Sequence, residues 1–377
     1  MKIGNLNFKD YAAKKPIAFS PTGEFLYAKD LAAEPRLGLG SLFALGAEQQ
    51  TKLTLERYDL EPDFSLAIIG AGVLSKDEAI EHIKGNTHIG QELVQAEIGY
   101  CNELISSLAA GGSLPVWPAL PPFPVIPKAY WKRVVNCIWL ILKTRALFCE
   151  NTTDGVTTPF ANYRMKYVHP EFSAAGYMVI VLKGIDDTRA NFIPQAKIGL
   201  TVYISGIGHG NYTTYTGHMG DHILEVCKYD PAEVKDKAIH FLSCETAGQL
   251  GPDTVAKGAK CYAGYTENFI LQWDSPSTPA VNEFELFARS DSTFDINMAH
   301  GATAQTAYNA TFAAFNAAIA TVPGTVAASY LTYDRDHFKL IGDPNTKILP
   351  YRYVKICFPI MELEKESSLA LAGDLVD

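Results

Sequence analysis

"YISGIGHGN", residues 203–211, and "IHFLSCETA", residues 239–247, decide how this chain is read. Each is a short apolar run that passes directly into a reactive side chain, His209 in the first and Cys244 in the second. Continuous apolar runs of this length, separated by helical stretches, are the pattern of parallel strands covered on both faces. In an open α/β sheet the ligand-binding edge lies beyond the carboxyl ends of the strands. If the two runs are neighbouring parallel strands, His209 and Cys244 emerge on that edge together, and the interval between them leaves room for one crossover. A thiol becomes a nucleophile when an imidazole beside it takes or stabilises its proton. Gly208 and Gly210 flank the histidine, and the N–H groups of Gly210 and Cys244 are candidates for an oxyanion hole. A cysteine after a strand is more often a small core residue than a nucleophile. The shared position of the two residues raises the catalytic reading above what either carries alone.

Working outward, apolar runs at 176–184, 198–205, 238–243 and 259–265 read as strands, with helices at 252–257, 281–289 and 302–320 between and after them. Residues 329–349 are expected to add one or two strands. Towards the N-terminus, Ser75 followed by Glu78 has the spacing of a capping box. Ile80, Ile83, Leu93, Ile98, Leu104, Ile105 and Leu108 then recur at helical spacing up to Gly111 and Gly112, as one long helix or two in series around Gly85. The prolines of 114–127 favour an extended connection, and 129–149 reads as a helix. The polar loop "ENTTDGVTTP" places a boundary there, giving a mainly helical N-terminal region, 1–150, and a sheet domain, 151–377. Residues 1–75 show no clear pattern.

The composition narrows the function classes. With 47% hydrophobic and 19% charged residues, the 377-residue chain reads as a soluble globular protein. A formal charge of -9 and the lack of a Lys/Arg cluster exclude a nucleic-acid binder. Seven scattered cysteines without a CxxC pair argue against a disulfide framework or a zinc site, and for reduced thiols in a cytoplasmic setting. The first residues lack the apolar core of a secretory signal, and the run 134–142 is too short to span a bilayer, so no membrane role is expected. His218, Asp221 and His222 are a weak alternative metal set without a fourth ligand. Cys227 and Cys261 read as plain thiols and Asp343 as a turn residue.

The order apolar run, His-Gly, second apolar run, Cys resembles the caspase-like (clan CD) cysteine peptidases. "GHG" followed by "LSCETAGQLGPDTVAKGAKCYAGYTENF" looks most like the gingipain, separase and CHAT-domain branches. The closing "FKLIGDPNTKIL" adds a "GDP" turn before a last short strand. The resemblance spans residues 176–349, and 1–150 resemble no family. It implies an α/β fold with a caspase-like, mainly parallel sheet and helices on both faces. It implies an endopeptidase that needs no cofactor, with Cys244 as nucleophile and His209 as general base and acid, a dyad without a third acidic residue. It also implies a protein or peptide substrate read by an S1 pocket whose charged group follows the first strand. Asp186 or Asp187 in "GIDDTR" would then select Arg or Lys, with Glu245 and Glu267 as competitors. Two features depart from the pattern. The interval between residue 184 and the His209 strand is short, and His218 and His222 follow His209 closely, although neither directly ends an apolar run. The rival reading is an inactive scaffold of the same fold that binds a regulatory protein through the N-terminal region. A Cys–His pair within ~4 Å beside an open cleft marks the enzyme, and a blocked or splayed pair marks the scaffold.

Overall fold

The computed structural model describes residues 1–3, 6–20, 22–33, 39, 41–69, 72–109, 137–273 and 282–357. The proline-rich stretch 114–127 lies outside them. Six strands form the central sheet: β1 (Arg145–Glu150), β2 (Met178–Lys183), β3 (Thr201–Ile207), β4 (Ala238–Leu242), β5 (Cys261–Tyr265) and β6 (Phe338–Gly342). Their order is β6-β5-β4-β3-β1-β2. All pairs are parallel except β5 with β6. The helices used below are α1 (Ala47–Asp59), α2 (Lys76–Lys84), α3 (His88–Ala109), α4 (Thr157–Tyr167), α5 (Arg189–Ala196), α6 (Leu250–Ala256), α7 (Glu283–Ala299), α8 (Ala304–Thr321) and α9 (Val326–His337).

Alternate residues of the strands feed two hydrophobic layers. Leu147, Cys149, Ile204, Ile239, Phe241 and Tyr262 pack on one face, with Phe192 of α5 and Leu250 of α6. Phe148, Tyr203, Ala238, Leu242, Ala263 and Tyr265 pack on the other, with Phe160 of α4, Phe287 of α7 and Tyr330 of α9. The chain is therefore a mixed α/β protein with a mostly parallel sheet. No helix among the described residues is long and apolar enough to cross a membrane.

One reading of the sequence needs correction. Residues 129–149 were expected as a helix, but Cys137–Lys143 is a strand paired antiparallel with Tyr351–Cys357, and β1 follows it; residues 129–136 lie outside the described set. Short apolar runs broken by a few polar residues do not fix a period, so strand and buried helix look alike. All six residues of β1 are buried. It precedes residue 151 in the chain but sits between β2 and β3, so the run at 176–184 forms the sheet edge. Residues 329–349 were expected to add one or two strands, and one is found there. The first part of that stretch, 329–337, belongs to α9, whose residues Val326 to Arg335 are all buried, and β6 is the strand that follows within 329–349.

The N-terminal region shares its core with the sheet domain. Ser75 caps α2 with the full capping box, and α3 follows as a separate helix. Ser65–Ile68 is the middle strand of a small antiparallel sheet, between Gly72–Ser75 and Ile270–Gln272. Buried ions anchor this region. Arg57 of α1 pairs with Glu97 of α3 and donates to the Pro16 and Gly324 carbonyls at 2.9 and 3.4 Å.

Candidate active site

His209 and Cys244 leave neighbouring parallel strands at matching register. Ile207 of β3 lies opposite Leu242 of β4, and each reactive residue follows two positions later. Close backbone contact brings the two segments together. A Cβ on Gly210 would stand 2.2 Å from Ser243 Oγ and 3.0 Å from the Cys244 carbonyl oxygen, so only glycine fits there. Gly208 is equally confined, since its Cβ would meet the Thr216 carbonyl oxygen at 2.2 Å. Thr216 holds the histidine backbone, its N–H and hydroxyl donating to the His209 carbonyl at 2.9 and 3.1 Å. The Gly210 and Cys244 N–H groups thus lie on adjacent segments.

The histidine side chain has a partner that the sequence did not announce. His209 Nε2 donates to Asp154 Oδ2 at 2.8 Å, and the pair is partly exposed. Asp154 is itself fixed by the turn into α4, accepting the Val156 and Thr157 N–H groups at 2.8 and 2.9 Å through Oδ1. Burial pulls its carboxyl up. The Thr157 N–H, His209 and the Val156 N–H more than offset this, so it lies below the usual carboxylate value. His209 Nδ1 is buried with no hydrogen-bond partner among the described residues. Asp154 sits in the loop after β1 that read only as a polar boundary. With β1 taken for helix, nothing placed that loop at the carboxyl edge.

Cys244 faces elsewhere. Its thiol is buried, donates to the Ile69 carbonyl and accepts the Phe269 N–H at 3.3 Å. Burial pushes this thiol well above its ordinary value; the Phe269 N–H opposes that shift, and Glu92, Glu245 and Asp334 reinforce it. The sulfur is therefore a neutral S–H. Among the described residues, neither ring nitrogen of His209 bonds to it. The anticipated dyad is brought to one place by its backbones but is not assembled through its side chains.

The anticipated substrate carboxylates do not share one environment. Asp186 is exposed after β2. Asp187 is fully buried, with the Cys149 thiol beside its carboxyl as a side-chain hydrogen-bond partner. It packs on Gly217, whose Cβ would stand 2.9 Å from Asp187 Cγ. Burial, with the Glu150 and Asp221 charges nearby, pushes its carboxyl up to about 8. Glu245 takes a left-handed backbone, φ 56°, and its N–H donates to the Glu267 carbonyl at 3.1 Å. Burial and the Glu267 charge raise the Glu245 carboxyl.

The weak metal alternative is not assembled. The His218 N–H donates to the Asp187 carbonyl, Asp221 Oδ2 accepts the Arg189 N–H, and His222 Nδ1 bonds Glu225, each at 2.7 Å. Among the described residues, the ligand-like group is instead His240, Asp291 and Asp295, buried against the sheet. Asp295 is already engaged, whereas His240 Nε2 and Asp291 Oδ2 have no hydrogen-bond partner among the described residues. Asp295 Oδ1 accepts the Tyr203 and Ser205 hydroxyls and His240 Nδ1 at 2.6, 2.7 and 3.1 Å. Asp295 Oδ2 takes Arg164 Nη1 at 2.7 Å. Cys227 is exposed and Cys261 lies buried in β5; both are free thiols. Asp343 forms a turn, its Oδ1 accepting the Asn345 N–H at 2.9 Å.

No family model matches this chain, and no curated protein does. Among solved structures, it is similar to the complex of Porphyromonas gingivalis RgpB pro- and mature domains, at 13% identity and a TM-score of 0.34. That match covers 54% of this chain and 47% of the other, so the chain spans about half the length of its structural neighbour.

Proposed function

We propose that this protein is a cysteine endopeptidase whose site is closed in the conformation described. The observation that carries the reading is the emergence of His209 and Cys244 from adjacent parallel strands at the same register. In the open state His209 takes the thiol proton and Cys244 attacks the scissile carbonyl. The Gly210 and Cys244 N–H groups receive the oxyanion, and the protonated imidazole returns its proton to the leaving amine. His209 then activates the water that hydrolyses the acyl-enzyme. Asp154 orients the ring and supports the imidazolium. β1 belongs to this catalytic sheet although it precedes residue 151, and the rest of residues 1–150 form the regulatory part. No cofactor takes part, and free thiols suit a reducing, cytoplasmic setting. Asp187 is the group proposed to select Arg or Lys before the cut.

The test uses peptides ending in Arg, Lys or Asp before a fluorogenic leaving group, with the full chain assayed before and after limited proteolysis. Cys244→Ala and His209→Ala should abolish turnover and retain the fold. Unchanged turnover in Cys244→Ala sinks the assignment. Asp154→Asn should lower kcat by roughly 10²-fold with little change in KM, and Asp154→Glu should recover part of the loss. A fall in KM-controlled binding alone would assign Asp154 to the substrate instead.

One observation favours a second reading, an inactive scaffold that binds a partner protein: the thiol is buried and bonded to Ile69 rather than to His209. Absence of turnover from every peptide, in a chain whose Cys244 has been made reactive, would select the scaffold.

A further inference from the structure

The cover over Cys244 belongs to the chain's own N-terminal region, and its geometry is that of a bound strand. Ser65–Ile68 pairs antiparallel with Ile270–Gln272, matching Ile68 with Ile270, Ala67 with Leu271 and Leu66 with Gln272. The ladder continues at both ends, the Ile69 N–H donating to the Phe269 carbonyl at 3.2 Å and the Trp273 N–H to the Ser65 carbonyl at 3.0 Å. Phe269 links the ladder to the sulfur: its carbonyl takes Ile69, and its N–H reaches Cys244 Sγ at 3.3 Å. The far side of the acceptor strand is held by α9, where Asp334 Oδ1 accepts the Ile270 N–H at 3.0 Å. The remaining contact of the sulfur is the Ile69 carbonyl.

Strand addition is a general way for a protein to hold an extended peptide, with main-chain hydrogen bonds giving affinity. The Ile69 carbonyl turns its oxygen, not its carbon, to the sulfur, so it fills the place beside Cys244 without being open to attack. We infer that the Ser65–Ile68 strand and Ile69 occupy the path of an extended peptide beside Cys244, so that the site is shut by its own chain and opens by displacement of that strand. This rests on Cys244 being the nucleophile of the proposed peptidase. The closure is apolar in character. Leu66, Ala67, Ile68 and Ile69 are fully buried, and the contacts to the sulfur and along the ladder are main-chain bonds rather than ion pairs. Salt alone therefore does not open it. A competing strand, a pull on the N-terminal region or a cut in the link after Ile69 does.

The experiment uses the full chain with a recognition sequence for a site-specific protease inserted between Ile69 and Gly72. The readouts are alkylation of Cys244 by iodoacetamide, mapped by mass spectrometry against the exposed Cys227 of the same molecule, and hydrolysis of the fluorogenic peptides. Before cutting, Cys244 should react at least about 10-fold more slowly than Cys227. After cutting, its alkylation should rise by at least about 10-fold, with peptide hydrolysis appearing in parallel. Equal reactivity of the two thiols before the cut, or unchanged Cys244 alkylation after it, overturns the inference. Increased alkylation without hydrolysis upholds the closure and rejects the peptidase reading. If circular dichroism shows that the cut chain has lost its fold, Leu66→Ala in the uncut chain replaces it. That cavity loosens the strand, so Cys244 alkylation should accelerate, and an unaltered rate counts against the closure.

Discussion

Arg164→Ala should lower the unfolding free energy by about 3–5 kcal/mol, as expected when one partner of a buried ion network is removed. Arg164 is fully buried in α4 against the sheet. Its Nε donates to Glu150 at 3.1 Å, its Nη1 to Asp295 at 2.7 Å and its Nη2 to the Ser205 hydroxyl at 2.7 Å. Alanine would leave two buried carboxylates, with His169 still bonded to Glu150, and His240, Tyr203 and Ser205 to Asp295. Arg164→Lys keeps the charge but loses the planar fork, so it should recover only part of the loss. The pH dependence separates this from simple cavity formation. Burial raises the Asp295 carboxyl, but Arg164 and His240 more than reverse that, holding it well below the ordinary 3.8. A depressed carboxyl contributes stability that is present above the unfolded value and lost as pH falls through the folded one. The deficit of Arg164→Ala should therefore be largest above pH ~4 and shrink in stronger acid. Urea unfolding between pH 3 and 7 measures this, and a deficit independent of pH would point to lost packing alone.

Asp187→Asn should act in the opposite direction and stabilise the protein at neutral pH. The folded-state carboxyl is raised from 3.8 to about 8. The native chain therefore keeps a proton that the unfolded chain has released. Stability from this group is highest below the unfolded value and falls as pH rises, by about 1.4 kcal/mol per unit, until the folded value is passed. Asparagine removes the slope. The variant should gain about 4 kcal/mol over the parent at pH 7, under about 2 at pH 5 and close to none at pH 4. If the two proteins keep the same stability difference from pH 4 to 8, the buried carboxyl is not protonated in the native state. The same variant should lose selective cleavage of Arg and Lys peptides once the site is open, since the Asp187 carboxyl can give up its proton beside the cation and an amide cannot. Gain of stability with loss of selectivity is the signature of a group retained for binding rather than for folding.

The strands carrying His209 and Cys244 were legible because each is a short apolar run closed by polar residues. The start of α2 was legible because Ser75 and Glu78 satisfy each other locally. β1 was hidden because the apolar runs 137–142 and 146–149 are each too short to show a period, and Lys143, Thr144 and Arg145 between them carry no Gly or Pro to mark a break. α9 was hidden for another reason. Val326, Tyr330, Thr332 and Tyr333 are β-formers by local preference, and burial on all sides overrides that preference. Asp154 and the cover over Cys244 lie on a different level. The Asp154–His209 bond spans 55 positions and the Cys244–Ile69 contact 175, and no local pattern reports such meetings.

The pairing of Ser65–Ile68 with Ile270–Gln272 also sets a timetable for biosynthesis. Synthesis runs from the N-terminus, so Ile69 leaves the ribosome 175 residues ahead of Cys244. At about 5–20 residues per second that lead is roughly 9–35 s. The acceptor strand follows Cys244 within 30 residues, completing the ladder almost as soon as the thiol exists. A protein made in this order never presents the Cys244 thiol to the rest of the nascent chain without the covering segment already at hand.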